Sequence, residues 1–411
     1  MADVSVLNVD LHGKTIGTLT RFAGDRSLFA FNEDYIGDPG RPTLGLFFKD
    51  AFGALRTDFP PVQTKILPFF SNLLPEGHLR RYLAEQAGVH PEREFFLLWA
   101  LGRDLPGAVT VGPADGEAWP PDAIGRRGDD KAAAGDDMLR FSLAGVQLKF
   151  SAVQGARGGL TVPASGVGGD WIVKLPSPEH AGIPENEYSM MRLAGLLGMD
   201  VPKIDLVDID GISGLPDGTR RLGGKAFVIE RFDRSPGGGR VHIEDFAQVF
   251  GVHGDDKYKK ASMRSVARVV AAEGTDEDTR EFIRRLTFNT LIGNGDMHLK
   301  NWSLIYRDGR TASLAPAYDF VSTIAYVPGD RFALNYSRTK DFSGYDEDEL
   351  AHLAARAALP QKRLIDTARE TAADFGAIWN REKNHLPLFD NVREAIDALL
   401  PTLPFARAAG K

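Results

Sequence analysis

The stretch Gly293-Asn294-Gly295-Asp296-Met297-His298-Leu299-Lys300-Asn301-Trp302, followed by Tyr318-Asp319-Phe320, constrains this chain more than any other. It sets Asp296 and Asn301 as D-x-x-x-x-N and brings a second carboxylate, Asp319, after one expected hairpin. Upstream, Phe282, Ile283, Leu286, Leu291 and Ile292 recur at roughly helical spacing, so a buried helix is expected to end at Gly293 and deliver the polar loop. Residues 302–306 read as a strand, Arg307-Asp308-Gly309 as a turn and residues 311–314 as the returning strand. Oxygen donors gathered on one loop suit a hard cation, and polyphosphate needs hard cations to neutralise its charge. The spacing alone is met by many proteins, with Asp296 in a turn, Asn301 as a cap and Asp319 on the surface. The flanking helix and hairpin weigh against that bland reading.

Helix, polar loop, hairpin and carboxylate together are the layout of a protein-kinase catalytic segment. There the loop Asp accepts the hydroxyl proton, the Asn binds Mg²⁺ and the later Asp holds metal against the phosphates. The rest of the composition is compatible with such an enzyme. A chain of 411 residues is expected to form roughly two to three domains. Its net charge of −7 argues against a broad nucleic-acid-binding surface. The absence of cysteine excludes disulfides, thiolate catalysis and Cys-ligated zinc, and fits a reducing compartment. No basic leader with an apolar run opens the chain and no segment is long and apolar enough to span a bilayer, so the expectation is a cytoplasmic protein with no membrane partner.

Taken in order, residues 1–111 form an N-terminal α+β subdomain, with short strands expected over 4–9, 15–21, 27–31 and 44–48 as a small sheet or barrel. From Lys65 the period becomes helical, and helices are expected over 78–88 and 91–101. Residues 112–138, rich in Gly, Pro, Asp and Ala, read as a linker or insertion. Residues 139–235 read as a β-rich nucleotide-binding lobe. It opens with a hairpin over 141–150 that bends at Gly145, the kind of turn whose backbone N–H groups can close over phosphate. Trp171-Ile172-Val173-Lys174-Leu175-Pro176 is an apolar strand carrying one lysine, and a lysine is rarely buried without a partner. The next helix, with Pro184 in its first turn and Gly198 at its end, offers Glu187. Further strands are expected over 201–207 and 224–229. The second runs into Glu230-Arg231-Phe232-Asp233-Arg234, where an interlobe hinge would meet adenine or where Arg231 and Asp233 would simply pair with neighbours. Residues 236–411 read as a helical catalytic lobe, with helices over 244–250, 263–273, 276–292 and after Asp346. The loop over 251–262, carrying Asp255, Asp256, Lys257, Lys259 and Lys260, reads as solvated charge rather than function.

The order of these strings resembles the HipA-like serine/threonine kinases, toxins of bacterial type II toxin–antitoxin systems. The resemblance starts with Phe69-Phe70-Ser71-Asn72-Leu73-Leu74-Pro75-Glu76-Gly77 and continues through Ser142-Leu143-Ala144-Gly145-Val146-Gln147-Leu148-Lys149, Ile172 to Pro176, Glu185-Asn186-Glu187-Tyr188 and Glu230 to Arg234. It closes with Gly293 to Asn301 and Ala317-Tyr318-Asp319, and so covers nearly the whole chain. It implies an α+β, two-lobed protein-kinase-like fold with an N-terminal β-rich subdomain and a mostly helical C-terminal lobe. It implies ATP and Mg²⁺ as cofactors, Asp296 as catalytic base, and Asn301 and Asp319 as metal ligands. Lys174 would hold phosphate with Glu187 as its helix partner. The candidate ATP contacts are Ser142, Ala144, Gly145, Val146, Gln147, Lys149, Lys174, Glu230, Phe232, His298 and Lys300.

In the family, the serine matching Ser142 is autophosphorylated, which ejects its loop and silences the kinase. A phosphate there adds roughly −1.5 to −2 charges beside a polyphosphate site, so repulsion gives the switch a physical basis. The implied partners are a small helix-turn-helix antitoxin of the HipB kind, DNA only through that antitoxin, and a protein substrate, aminoacyl-tRNA synthetases being among the family's. In some relatives the N-terminal module is a separate protein; here it is fused. Unlike ordinary protein kinases, the chain lacks His-Arg-Asp and follows Phe320 with Val321, so control by an Asp-Phe-Gly flip is not expected. For His298, packing within the loop is expected over proton shuttling. Two other readings remain. One is a small-molecule phosphotransferase, which a panel of small alcohols beside purified synthetases would separate. The other is a catalytically silent corepressor, which has no chemical need of Lys174, Asp296, Asn301 and Asp319 together.

Overall fold

Alternating burial along Ser5–Leu11 (β1) turns Ser5, Leu7, Val9 and Leu11 to one face. β1 pairs antiparallel with Lys14–Phe22 (β2), and β2 with Arg26–Phe31 (β3). Val62–Gln63 (β4) and Val109–Pro113 (β5) complete an open sheet in the order β4-β3-β2-β1-β5. The helices Pro68–Ser71, Gly77–Ala87 and Glu94–Leu101 share its core of Leu7, Leu19, Phe29, Phe70, Phe96 and Val109. The chain is known here from a computed structural model, which describes residues 5–114, 148–155, 159–163, 168–216, 218–235 and 237–409, apart from the side chains of His78 and Gln86. Most of the expected linker over 112–138, and the hairpin residues 141–147, lie outside the described residues.

The expected strand over 44–48 is instead a short 3₁₀ turn, Leu46–Phe48. Its Leu46 N–H is taken by the Glu244 side-chain oxygen, 2.9 Å away in the C-terminal lobe, so a tertiary bond displaces the ladder that apolar composition predicted.

A second core belongs to a six-stranded sheet built from Lys149–Gln154 (β6), Leu160–Thr161 (β7), Trp171–Lys174 (β8), Ile204–Asp208 (β9), Ile212–Ser213 (β10) and Lys225–Glu230 (β11). The strand order is β10-β7-β6-β8-β11-β9. The helix Ile183–Leu196 packs on β9 and β11, with Pro184 in its first turn. Register places Lys174 directly opposite Lys149 on one side and Phe227 on the other.

A short ribbon, Arg234–Ser235 (β12) with Gly239–Arg240 (β13), leads into the third unit. There His242–Asp245 (β14), Ser303–Tyr306 (β15) and Ser313–Leu314 (β16) form a small antiparallel sheet. The expected helix over 244–250 therefore begins as strand. Asp245 closes that strand by capping the four-residue helix Phe246–Val249, in a reciprocal box with Gln248. The central helix Asp276–Leu291 opens on a Thr275–Asp278 capping box and an acidic first turn. Its Phe282, Ile283, Leu286, Phe288 and Leu291 are buried, each stabilising the lobe by about 1.5–3 kcal/mol. It packs along Gln361–Glu382. Among the described residues, no helix is long and apolar enough to cross a membrane.

The N-terminal subdomain touches both other units. Asp104 accepts hydrogen bonds from Arg234 (2.9 Å) and Arg231 (3.3 Å), and Asp233 accepts one from the Gly107 N–H at 2.8 Å. His242 Nε2 lies 2.8 Å from the Leu44 carbonyl.

Candidate active site

Lys174 ends the apolar strand β8 and is buried, with its ammonium over the ring of Phe227 at 5.6 Å. An isolated buried ammonium would shed its proton. Burial does push Lys174 that way, but the Asp319 and Glu187 carboxylates, both in contact with it, outweigh burial and raise its pKa. Lys149, facing Lys174 across the strands, reaches the other oxygen of Asp319 at 3.6 Å. Like charges directly opposite in a sheet repel unless an anion lies between them. Asp319 is that anion. Burial opposes its ionisation, yet Lys149 and Lys174 hold its carboxyl far below the usual range.

Asp319 stands at φ +57°, a left-handed conformation that a non-glycine residue adopts at a cost of about 1–3 kcal/mol. Its neighbours hold it there. Phe320 is buried against Phe288, their rings 5.5 Å apart. Asn186, one residue before Glu187, donates to the Ser322 carbonyl (2.9 Å) and accepts the Ser322 N–H (3.0 Å). The helix bearing Glu187 thus fixes the segment bearing Asp319.

The loop bearing Asp296 leaves the central helix through Gly293, at φ +64°, where a Cβ would lie 2.6 Å from Ile324. A Cβ on Gly295 would lie 2.1 Å from the Asp330 carboxylate, which would have to move to admit it. Asn294 Oδ1 accepts the Asp296 N–H at 3.0 Å, and Asn301 Nδ2 donates to the Asp296 carbonyl at 2.8 Å. The D-x-x-x-x-N spacing therefore closes a loop, and it leaves the Asn301 amide oxygen as that side chain's acceptor. The Asp296 side chain is 49% exposed and receives the phenol of Tyr258 at 2.5 Å. His298 Nε2 stands 4.0 Å from the same carboxylate oxygen, and burial lowers the imidazole pKa to about 4, which keeps the ring neutral.

The candidate residues fall into two groups. Lys149, Lys174, Glu187 and Asp319 converge on one charge cluster, while Asp296, His298 and Asn301 share the neighbouring loop. Phe232 joins the hinge to this region through Tyr318, with ring centroids 5.6 Å apart. Glu230 is exposed at the end of β11, and its N–H is taken by the Lys203 carbonyl. Arg231 and Asp233 pair with each other at 2.9 Å. Lys300 directs its ammonium at Glu76 (2.8 Å) and the Asn72 carbonyl (3.2 Å) of the N-terminal subdomain. Ser142, Ala144, Gly145, Val146 and Gln147 lie outside the described residues.

The loop read as solvated charge is bound on both sides: Tyr258 lies on Asp296, Lys257 meets Glu76 at 2.5 Å, and Val252 accepts from Asn72 at 2.7 Å. Its partners lie far away in sequence, so no local signal could have found them. The Asp319 carboxylate with two lysines beside it suits a polyphosphate and a hard divalent cation, and the Asn301 amide oxygen on the neighbouring loop is a donor of the same hard kind. The described residues hold no cluster of three or more His, Asp or Glu shaped for a metal.

Residues 7–112 match the HipA N-terminal domain, and residues 141–379 match the HipA-like C-terminal domain. Y4dM of Sinorhizobium fredii, which carries a provisional kinase name, is 57% identical over 416 residues spanning 100% of both chains. The serine/threonine-protein kinase toxin HipA of Shewanella oneidensis is 28% identical over 364 residues, 79% of this chain and 77% of that one. The solved complex of HipA, HipB and operator DNA from Shewanella oneidensis MR-1 superposes with a TM-score of 0.73 at 24% identity, covering 96% of each chain. That superposition establishes a shared α+β, two-lobed kinase-like fold.

Proposed function

This chain belongs to the HipA-like family, and from that membership we propose that it is an ATP- and Mg²⁺-dependent serine/threonine protein kinase of the toxin–antitoxin kind. The observation that carries the reading is the buried Lys174 ammonium shared by Glu187 and Asp319, with Lys149 opposite. Two lysines converging on one strained carboxylate are suited to receive a nucleotide's phosphates and are otherwise a costly arrangement.

In this reading Lys174, aligned by Glu187, orients the phosphates, and Phe232 borders the adenine. Asn301 and Asp319 would hold Mg²⁺, which when bound neutralises charge on the polyphosphate. Asp296 orients the acceptor hydroxyl and takes its proton as the new O–P bond forms and the bond to the ADP leaving group breaks. His298, neutral and buried, shapes the loop rather than relaying protons. Lys300, engaged by Glu76, ties this loop to the N-terminal subdomain and is a weaker candidate for a nucleotide contact. Ser142 is the proposed autophosphorylation site. A small HipB-like helix-turn-helix protein is the proposed partner, and an aminoacyl-tRNA synthetase belongs to the proposed substrate class.

The test is phosphate transfer from labelled ATP with Mg²⁺ to the protein itself and to purified synthetases, with mass spectrometry of the Ser142 peptide. Wild type is expected to label Ser142 or a synthetase, and Asp296→Asn neither. A wild-type protein that is unphosphorylated, binds ATP, and transfers to neither itself nor any lysate protein would overturn the protein-kinase reading.

A further inference from the structure

Tyr258 donates its phenolic hydrogen to Asp296 Oδ1 at 2.5 Å, the length of a charge-assisted O–H···O⁻ bond. Nothing in the stability of the loop demands this bond, because the Asp296 carboxylate is half exposed and water would satisfy it. An aromatic hydroxyl thus sits on the oxygen that, in the kinase reading, orients the acceptor hydroxyl. The ring is aimed from behind by His298, edge to face at 5.0 Å.

The segment carrying Tyr258 is held from the other side by the N-terminal subdomain. Glu76 takes Lys257 at 2.5 Å, and Lys65 takes Asp255 at 2.5 Å. Glu76 also reaches Lys300 of the catalytic loop at 2.8 Å, so one carboxylate ties both loops together. Between the subdomain and this segment lies a polar cavity of about 510 Å³, bordered by Lys65, Glu76, Arg80, Glu92, Asp255 and Tyr258. Tyr258 is therefore a wall shared by that cavity and the Asp296 loop.

We propose that Tyr258 is an acceptor-site gate: its hydroxyl stands in for the acceptor's on Asp296, and a polypeptide acceptor displaces it on entering from the cavity between the N-terminal subdomain and residues 254–260. The inference rests on Asp296 serving as the acceptor-orienting group. It makes the N-terminal subdomain part of acceptor selection, since residues from both units border the entry. No bond is made to Tyr258; the acceptor O–H takes over its hydrogen bond, and the phenol turns to solvent.

The test uses the full chain with Mg²⁺ and ATP, and as acceptor a synthetic peptide of residues 137–151. Tyr258→Phe keeps the ring on His298 and removes only the hydroxyl. It is expected to lower KM for the peptide by about threefold to tenfold, the range set by one displaced hydrogen bond, with kcat and KM for ATP unchanged. An unchanged or higher peptide KM overturns the gate, as does phosphate found on Tyr258 itself, which would make it an acceptor. If wild type transfers nothing to the peptide, to itself or to lysate protein, the gate falls together with the kinase reading. Transfer by wild type with the same KM in Tyr258→Phe removes the gate alone.

Discussion

At the strand-borne end of the candidate site, the Lys174 side chain is 5% exposed and is shared between two carboxylates. At its loop-borne end, the Asp296 side chain is 49% exposed and holds one phenol. The first end draws its charges from adjacent strands, one helix and one strained residue, all fixed by the sheet and by Asn186. The second is assembled across units, with Glu76 of the N-terminal subdomain pairing with Lys257 and Lys300. Buried pairs are strongly destabilised when one partner is removed, whereas partly exposed pairs contribute little and yield to salt. One end of the candidate site is thus rigidly held and the other loosely held, as the proposed exchange of ATP and entry of an acceptor would require.

Removing the rigid end should give the largest effect. Lys174→Met leaves Glu187 buried without a counter-charge and Asp319 with Lys149 alone, and should cost about 3–5 kcal/mol in denaturant unfolding. A loss below about 1 kcal/mol would mean that the cluster is not charged as described.

The seam between the N-terminal subdomain and the C-terminal lobe should respond to pH. Burial raises the Glu244 pKa to about 8 from 4.5, against the opposing bonds from Tyr306 and the Leu46 N–H. Between those values the folded state keeps a proton that the unfolded chain has lost, so stability falls as pH rises through that window. His242 works in the other direction: burial lowers its pKa to about 4 from 6.5, and stability falls as pH drops from 6.5 towards 4. Thermal unfolding between pH 6.5 and 8 should show a falling Tm in wild type and a flatter profile in Glu244→Gln. Parallel profiles would remove Glu244 as the cause.

Smaller effects are expected at the open end. Glu76→Gln should cost roughly 1 kcal/mol or less, shrinking further at high salt, while amide exchange in residues 254–260 speeds up. Tyr258→Phe should leave Tm nearly unchanged, because its bond lies on a half-exposed carboxylate. A large loss of stability in either variant would erase the contrast between the two ends.

The legible parts of this molecule were those whose signal is local. The apolar strand ending at Lys174, the helix bearing Glu187 and the Gly293–Asn301 loop all carry their chemistry in short strings, and the structure puts Lys174, Glu187 and Asp319 in contact. The unread parts depend on distant partners. Residues 44–48 look like a strand until Glu244 takes the Leu46 N–H, and residues 251–262 look solvated until Glu76 and Asp296 are seen beside them. Residues 244–250 have helical composition, yet β15 recruits the first of them into a ladder and Asp245 is left as the cap.

The most direct measurement titrates Mg²⁺·ATP binding and phosphate transfer together in wild type, Lys174→Met and Asp296→Asn. The two-ended account predicts that Lys174→Met loses nucleotide binding, while Asp296→Asn binds Mg²⁺·ATP like wild type and transfers about 10²–10⁴-fold more slowly. Equal transfer by Asp296→Asn, or wild-type nucleotide affinity in Lys174→Met, would contradict it.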